Sequence, residues 1–512
     1  NDDFGLTTWT LEGRLDHLDV VYTGGYLDRD INSTIDYTGY TNGGLFATYY
    51  NCNYAADAAA QKCVDPTKFY KEETSTSRTT HELRVNTSAE NRWRITAGVF
   101  YDSQELATIG QFKIASTELF TDLKKTLVGT DGINSDGGPF SSEVSFINDV
   151  NHIIDQIAVF GQLDFDITET VTASFGARWY QIDDIYKGST STVDVSGRLQ
   201  AFGDGSDAAL TEFFGAEEAA EIQASIANGQ LDTRLVNDDG SLTVDDTIIK
   251  ASLDWKVSDE VMLFASYSEG FRPPVTNRVG GGKSTSQEGA FDGFRIPVYS
   301  TTDSLDNVEL GFKSTLFDQT LRFNATAYYS KISDLQTSRF DPTNISFLVF
   351  TDNVGDAEIK GIDGDFSWAA TDNLIITGAF SFIDTELTSV NDVLDGIAPS
   401  VGSRLPYSAE FSGNLQAQYF YPINSDLTGY INGSISYTGE RLAGMTMDAY
   451  VVEDATNLIY GTGSGLKIQK EADVYTGVNY PDSNGETFAG GRYVQESYVL
   501  ANLSFGVTND EW

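Results

Sequence analysis

The chain has 512 residues, with 75 acidic against 32 basic side chains and a net charge of −43. An acidic surface repels a phosphate backbone, so this balance excludes a nucleic-acid binder. Aromatic residues make up 12% of the chain and charged residues only 21%, a composition that excludes a disordered protein. No apolar run is long enough to cross a bilayer as a helix.

Apolar and polar residues alternate along many segments, which is the period of a strand with two different faces. The clearest segments in chain order are 93–101, 157–167, 171–180, 321–329, 374–382, 431–437 and 499–507. We count about fifteen segments of roughly ten residues, the length that a tilted strand needs to cross a bilayer. In 171–180, for example, Phe175 and Trp179 belong to the apolar set, and Ser174 and Tyr180 to the polar set.

The connections alternate between short and long. The short, polar ones are 12–14, 88–91, 168–170, 258–260, 317–319, 371–373 and 424–426. The long ones are approximately 29–73, 104–151, 184–244, 272–302, 334–355, 387–404 and 441–491. Outer-membrane barrels have short periplasmic turns and long extracellular loops, and only a closed sheet pairs every backbone group in lipid. The sequence therefore predicts an all-β, transmembrane antiparallel barrel, with the apolar set facing lipid and the polar set facing an aqueous lumen.

The insert 184–244 is predicted to be a large extracellular loop. It carries eleven acidic and three basic side chains, which could bind Ca²⁺. A solvated acidic surface, bridged by divalent cations to lipopolysaccharide, is the favoured alternative. Within the insert, 208–228 is predicted to be a short helix, capped by Ser206 or Asp207 and followed by Gly229.

Four segments resemble the barrel of TonB-dependent outer-membrane receptors. They are SYSEGFRPPVTNR at 266–278, the hairpin NVELGFKS at 307–314 with LRFNATAYY at 321–329 and DLQ at 334–336, AEIKGID at 357–363, and RLPYS at 404–408. The hairpin is the most specific of them. The sequence departs from the family pattern at Asp363, where Glu is usual, and Ser408 follows Tyr407 in the segment that resembles the family's LPYxP strand start. The resemblance covers most of the chain.

The resemblance implies that residues 1–512 are part of a plugged barrel of about 22 strands. On this interpretation the N-terminal plug, the first strands and the last strands lie outside this sequence. The implied function is active import of a scarce nutrient across the bacterial outer membrane, with a ferric siderophore or similar metal chelate favoured and a glycan as the second ligand class. The implied partners are outer-membrane lipid and lipopolysaccharide, a small extracellular ligand, and a TonB-type energy-coupling protein that engages the plug segment. A passive porin and a surface adhesin remain the alternatives.

The sequence predicts no enzyme, because it contains no hydrolytic triad, phosphate loop or zinc motif, and it predicts no cofactor or metal site. Cys52 and Cys63 fall in one predicted extracellular loop, where an oxidising exterior favours a disulfide. Closing this small ring would stabilise the protein by up to about 3 kcal/mol. A metal site is the alternative, but no histidine lies nearby in sequence. His17, His81 and His152 are instead predicted to be wall residues with hydrogen-bond partners.

Ligand contacts are predicted at the end of the strand that precedes the long connection 272–302. Arg272 and Arg278 could receive an anionic chelate, and Phe271 could offer a stacking surface. For Arg272 we favour the alternative that the guanidinium pairs with a carboxylate of the barrel wall.

Overall fold

The computed structural model describes residues 1–38, 67–114, 132–192 except 137, 139 and 142, 241–277, 297–340 except 298, 349–391, 401–442, 451–452, 466–467 and 494–509. Nearly all regular structure in these ranges is strand. None of the helical structure described here has the length and apolar character required to span a bilayer.

The described ranges contain twenty-three strands. In order they are β1 (Asp2–Leu15), β2 (Leu18–Asp36), β3 (Lys68–Thr87), β4 (Trp93–Ile114), β5 (Val144–Asp166), β6 (Val171–Thr192), β7 (Ser241–Lys256), β8 (Val261–Arg272), β9 (Val275–Thr276), β10 (Tyr299–Ser300), β11 (Asp303–Leu316), β12 (Leu321–Ser333), β13 (Gln336–Phe340), β14 (Val349–Asn353), β15 (Ala357–Thr371), β16 (Leu374–Leu387), β17 (Phe411–Pro422), β18 (Leu427–Thr438), β19 (Arg441–Leu442), β20 (Val451–Val452), β21 (Leu466–Lys467), β22 (Val494–Gln495) and β23 (Tyr498–Asn509).

Fifteen long strands form one antiparallel sheet, in the order β1-β2-β3-β4-β5-β6-β7-β8-β11-β12-β15-β16-β17-β18-β23. Each long strand therefore pairs with the next long strand in sequence, as in an up-and-down barrel wall. Within the described ranges β1 and β23 are the two edges of this sheet. The other strands form four two-stranded ladders, β9 with β10, β13 with β14, β19 with β22 and β20 with β21. The predicted number of strands is confirmed.

Short turns join the long strands at one end of the sheet, and six of the seven lie where the sequence predicts them. The first is different: β1 continues through 12–14, and Leu15 pairs with Leu18 across a two-residue turn. Asp16 has a φ of 56° in this turn, a conformation that aspartate tolerates better than most residues. The prediction of a turn at 12–14 was wrong.

The fifteen strands of the main sheet are longer than the roughly ten residues that alternation indicates. They range from 12 residues in β8 to 23 in β5. At ~3.3 Å per residue, β5 is about 75 Å long, whereas the apolar band of an outer-membrane barrel is only ~25 Å tall. The halves of β4, β5 and β6 that lie nearer to the long connections therefore project beyond the membrane.

Register assigns the two faces of the sheet. Phe175 on β6 stands opposite Leu163 on β5, which in turn stands opposite Ile95 on β4, so these three side chains share one face. Phe175 is 53% exposed and Leu503 is 74% exposed, which is the behaviour of a surface that meets lipid and not of a core between two sheets. This lipid-facing surface is the outer face, and the opposite surface is the inner face.

Aromatic residues mark both margins of the apolar band on the outer face. Trp93, Trp255 and Trp368 lie near the short turns, and Tyr101, Trp179 and Tyr329 lie near the other margin. The separation of Trp93 and Tyr101 along β4 is about 26 Å, close to the ~25 Å between the aromatic girdles of outer-membrane barrels.

Spin labels provide a direct test of the face assignment. We expect a label at Phe175→Cys to collide with dissolved oxygen more often than a label at Ser174→Cys, because oxygen concentrates in acyl chains. The measurement is power-saturation EPR of the full-length protein in lipid vesicles, with Cys52 and Cys63 replaced by serine. Higher oxygen accessibility at position 174 than at 175 would contradict the assignment.

Candidate ligand-contact site at the extracellular end

The end of β8 separates from β7 and leans over the inner face. Pairing of β7 with β8 ends at Lys250 and Ser268, whereas pairing of β8 with β11 continues to Arg272 and Asp303. At the separation, the side chain of Glu269 accepts the Ile249 N–H at 2.8 Å. The carboxylate thus takes the place of the backbone acceptor that β8 no longer supplies, and the last residues of β8 are free to turn inward.

Phe271 stacks on Tyr180, an inner-face residue of β6. The ring centroids are 3.9 Å apart and the rings are nearly parallel, at 6°. Tyr180 is only 1% exposed and belongs to a buried cluster with Ala158 and Ile182. The partly buried members of the cluster are Phe100, Ile154, Val244, Ile248 and Phe271. The prediction that Tyr180 faces an aqueous lumen was therefore wrong, because the inward-leaning end of β8 covers it.

Arg272 forms an ion pair with Asp303, the first residue of β11. Nε of Arg272 donates to Asp303 Oδ2 at 2.8 Å, Nη2 donates to the same oxygen, and the backbone N–H donates to Oδ1 at 3.0 Å. The Asp303 side chain is 4% exposed and the Arg272 side chain 55% exposed. Several donors thus satisfy a buried carboxylate, which a buried charge requires. The favoured alternative for Arg272, a pairing with a wall carboxylate, is confirmed.

Gln336, the first residue of β13, connects this ion pair to both ends of the connection between β8 and β11. Its side chain donates to the carbonyls of Pro273 at 2.9 Å and Thr301 at 2.8 Å. Its backbone N–H donates to Asp303 Oδ2 at 3.2 Å, and its backbone carbonyl accepts from Arg272 Nη2 at 2.9 Å. The guanidinium is consequently held on two of its three nitrogens.

A second contact holds the connection between β8 and β11 against the barrel wall. Thr276 donates to Asp184 Oδ1 on β6 at 3.0 Å, and His152 Nε2 lies 2.8 Å from the other oxygen of Asp184. His152 is thus a partnered wall histidine, as predicted, and so is His81, whose Nδ1 lies 2.9 Å from the Tyr22 hydroxyl. His17 differs from the prediction, because it lies in the exposed turn between β1 and β2.

The arrangement places a fixed positive charge and an aromatic ring where the inner face meets the extracellular end. Such a pair can receive an anionic, partly planar ligand. The structure brings Phe271 and Arg272 together with Asp303 and Gln336. Sequence reasoning missed Asp303 as the partner of Arg272, and the only signal for Gln336 was its place in the DLQ segment of the family resemblance.

Several predicted features lie outside the described residues. These are Arg278, Cys52, Cys63 and the predicted helix 208–228. The predicted insert 184–244 is described only at its two ends, where β6 continues to Thr192 and β7 begins at Ser241.

A sheet of fifteen antiparallel strands, with an apolar outer face between two aromatic girdles, defines the wall of an outer-membrane β-barrel. Comparison with known families gives the particular class. The family model described as "TonB dependent receptor-like, beta-barrel" matches residues 1–512. The chain belongs to this family, whose members are outer-membrane proteins of Gram-negative bacteria.

Individual relatives are distant. The metal-pseudopaline receptor CntO of Pseudomonas aeruginosa (strain UCBPP-PA14) is 26% identical over 210 residues, which are 39% of this chain and 25% of CntO. The ferric yersiniabactin uptake receptor FyuA from Yersinia pestis superimposes with a TM-score of 0.59 at 10% identity, over 100% of this chain and 54% of FyuA.

The ferric-catecholate import receptor Fiu from K12 E. coli, in its closed form, gives a TM-score of 0.53 at 14% identity, over 98% of this chain and 57% of Fiu. At these identities the structures show the fold alone. The chain spans a little over half the length of the two solved receptors, and the segment that aligns with CntO covers a quarter of CntO.

Proposed function

We propose that the full-length protein imports a scarce nutrient across the outer membrane, with a ferric siderophore or a similar metal chelate as the ligand. The observation that carries the proposal is the match of the whole chain to the TonB-dependent receptor barrel. The similar proteins point the same way, since by name FyuA is an uptake receptor for ferric yersiniabactin, Fiu an import receptor for ferric catecholates and CntO a receptor for metal-pseudopaline.

The mechanism in this proposal is conformational gating and not bond chemistry. An extracellular ligand binds between the loops and a plug, and a TonB-type protein, driven by the inner membrane, rearranges the plug. The plug segment would lie outside this sequence. Outer-membrane lipid and lipopolysaccharide would surround the outer face of the barrel.

Phe271, Arg272 and Arg278 are the proposed ligand contacts. Metal chelates of this kind carry anionic oxygens, and a guanidinium held on one edge by Asp303 can still direct its remaining N–H groups to such an oxygen. The stacking of Phe271 on Tyr180 limits the motion of its ring, so a ligand would lose little binding energy in ordering it. The Cys52–Cys63 disulfide remains a prediction for the extracellular loop that contains it.

Uptake of radioactive iron tests the function. Deletion of the gene is expected to lower accumulation of ⁵⁵Fe, supplied with the chelators that the organism secretes under iron starvation, by at least about tenfold. Expression of the full-length protein should restore uptake, and a protonophore should abolish it, because transport needs the energised inner membrane.

The alternatives predict different results in the same assay. A passive porin would leave uptake insensitive to the protonophore, and an adhesin would leave uptake unchanged on deletion. Unchanged iron uptake, together with lost growth on a glycan, would replace the chelate by a glycan as the ligand.

A further inference from the structure

We infer that the bases of three consecutive extracellular connections form one cooperative body, and that Asn353 is the residue that couples them. The three connections are those between β8 and β11, between β12 and β15, and between β16 and β17. We call their described residues 299–303, 334–338, 350–356 and 387–391 the rim unit. The inference concerns how the rim unit opens and holds whatever the protein transports.

Asn353 bonds to all three connections through its side chain and backbone. Its Oδ1 accepts the Thr301 N–H at 2.7 Å and the Thr301 hydroxyl at 3.1 Å. Its Nδ2 donates to the carbonyl of Thr301 at 3.0 Å and to that of Asp334 at 2.6 Å. Its own carbonyl accepts from Asn391 Nδ2 at 2.7 Å. One side chain thus satisfies both backbone groups of Thr301, a residue 52 positions away in sequence.

Backbone bonds extend the coupling between the second and third connections. Asn391 N–H donates to the Val354 carbonyl at 2.9 Å, and Thr388 N–H donates to the Asp356 carbonyl at 2.8 Å. In the reverse direction, Asp356 N–H donates to the Ser389 hydroxyl at 2.9 Å. Asp356 Oδ1 also accepts the Asp334 N–H at 3.1 Å, which closes the base of the β13–β14 hairpin.

Apolar burial accompanies these bonds. Val354, Ala357 and Leu387 are each 0% exposed, and Leu335 is 7% exposed. Backbone groups beside fully buried side chains cannot readily exchange a lost partner for water, so breaking one of them is costly. The rim unit therefore combines the hydrogen bonds and the buried side chains that are typical of a cooperative opening unit.

The consequence is that the described bases of the three connections open together and not independently. Arg272 depends on the same body, since Gln336 both accepts from its guanidinium and donates to its carboxylate partner. A change at Asn353 should therefore reach Arg272, although the two residues form no hydrogen bond with each other. Asn353 is in this sense a positioning residue for the candidate ligand-contact site.

Amide hydrogen exchange of the full-length, ligand-free protein in detergent tests the inference. In Asn353→Ala, exchange at Thr301, Gln336 and Asn391 is expected to accelerate together, by at least about tenfold at each amide. The nearly isosteric variant Asn353→Asp keeps the acceptor for Thr301 but sets a carboxylate oxygen against the carbonyls of Thr301 and Asp334, so it should also accelerate exchange at the same three sites. It also provides the measurement if the alanine variant fails to assemble.

Asn424→Ala is the matched control. Asn424 lies in a short turn, where its Oδ1 accepts the N–H groups of Asp426 at 2.9 Å and Leu427 at 3.0 Å. Its removal should accelerate exchange in that turn alone. If Asn353→Ala changes exchange only within 334–356 and leaves Thr301 and Asn391 as in the unmodified protein, the three connections are independent and the inference fails.

Discussion

Replacing Arg272 by alanine is expected to lower the free energy of opening of the β8–β11 connection by about 3 kcal/mol. The reason is the burial of its partner: the Asp303 side chain is 4% exposed and cannot recover by hydration the interaction that it loses. Two backbone N–H groups, those of Arg272 and Gln336, would remain as donors to the carboxylate, but the neutralising charge would be gone.

The measurement is the exchange rate of the Gln336 amide, whose hydrogen is bonded to Asp303. A loss of this size corresponds to roughly hundredfold faster exchange. Arg322→Ala is the control, because Arg322 and Asp365 form an ion pair at 3.4 Å in which both side chains are well exposed, at 62% and 46%. Such surface ion pairs contribute little to stability. In the Arg322→Ala variant the Gln336 amide should therefore exchange at the rate of the unmodified protein. Equal exchange in the two variants would show that burial does not strengthen the Arg272 pair.

The part of the fold inside the membrane could be predicted because two different solvents act on one strand. Lipid selects apolar side chains on the outer face and the lumen admits polar ones on the inner face, so the alternation appears in the sequence. The segment 171–180 shows this, since register places Phe175 and Trp179 together on the outer face as predicted. The six correctly predicted turns follow for the same reason, because each ends an alternating segment.

Beyond the membrane the same signal disappears. On the projecting part of β5, the buried residues Val144, Ile147, Asp149 and Val150 occur at both even and odd positions, so no two-residue period remains. β4 continues to Ile114 and β5 begins at Val144, although 104–151 was predicted to be one long connection. The backbone pairing that continues there, as between Thr108 and Val150, produces no side-chain pattern, so the sequence does not predict it.

The candidate site was predicted only in part, because its contacts join residues distant in sequence. Phe271 and Arg272 are adjacent and belong to the segment 266–278 that resembles the family, so both were identified. Gln336 lies 64 positions from Arg272, and no local pattern relates the two. Where β8 leaves β7 and covers Tyr180, the side chain of Glu269 accepts the Ile249 N–H in place of a backbone carbonyl of β8. Strict alternation of apolar and polar residues does not predict that a side-chain acceptor takes the place of a backbone acceptor.

Replacing Gly355 by alanine is expected to cost more than about 3 kcal/mol of folding free energy, the upper range for an overpacked site. Gly355 has a φ of +147°, and a Cβ there would lie 2.1 Å from the Ser389 carbonyl oxygen and 2.9 Å from Val390 Cα. Both obstacles are backbone atoms of the neighbouring connection, so no rotation of a side chain can relieve the clash. The Gly355 carbonyl also accepts the Leu335 N–H at 2.7 Å, a bond that any shift would weaken.

Gly402→Ala separates the steric clash from backbone strain. Gly402 also has a positive φ, +91°, but a Cβ there would meet nothing within 4 Å, so only the strain of about 1 kcal/mol remains. The free energies follow from reversible guanidinium unfolding of the full-length variants in lipid vesicles, monitored by tryptophan fluorescence. A cost at Gly355 no larger than that at Gly402 would mean that Ser389 and Val390 move freely, and hence that the third connection is not held against the second.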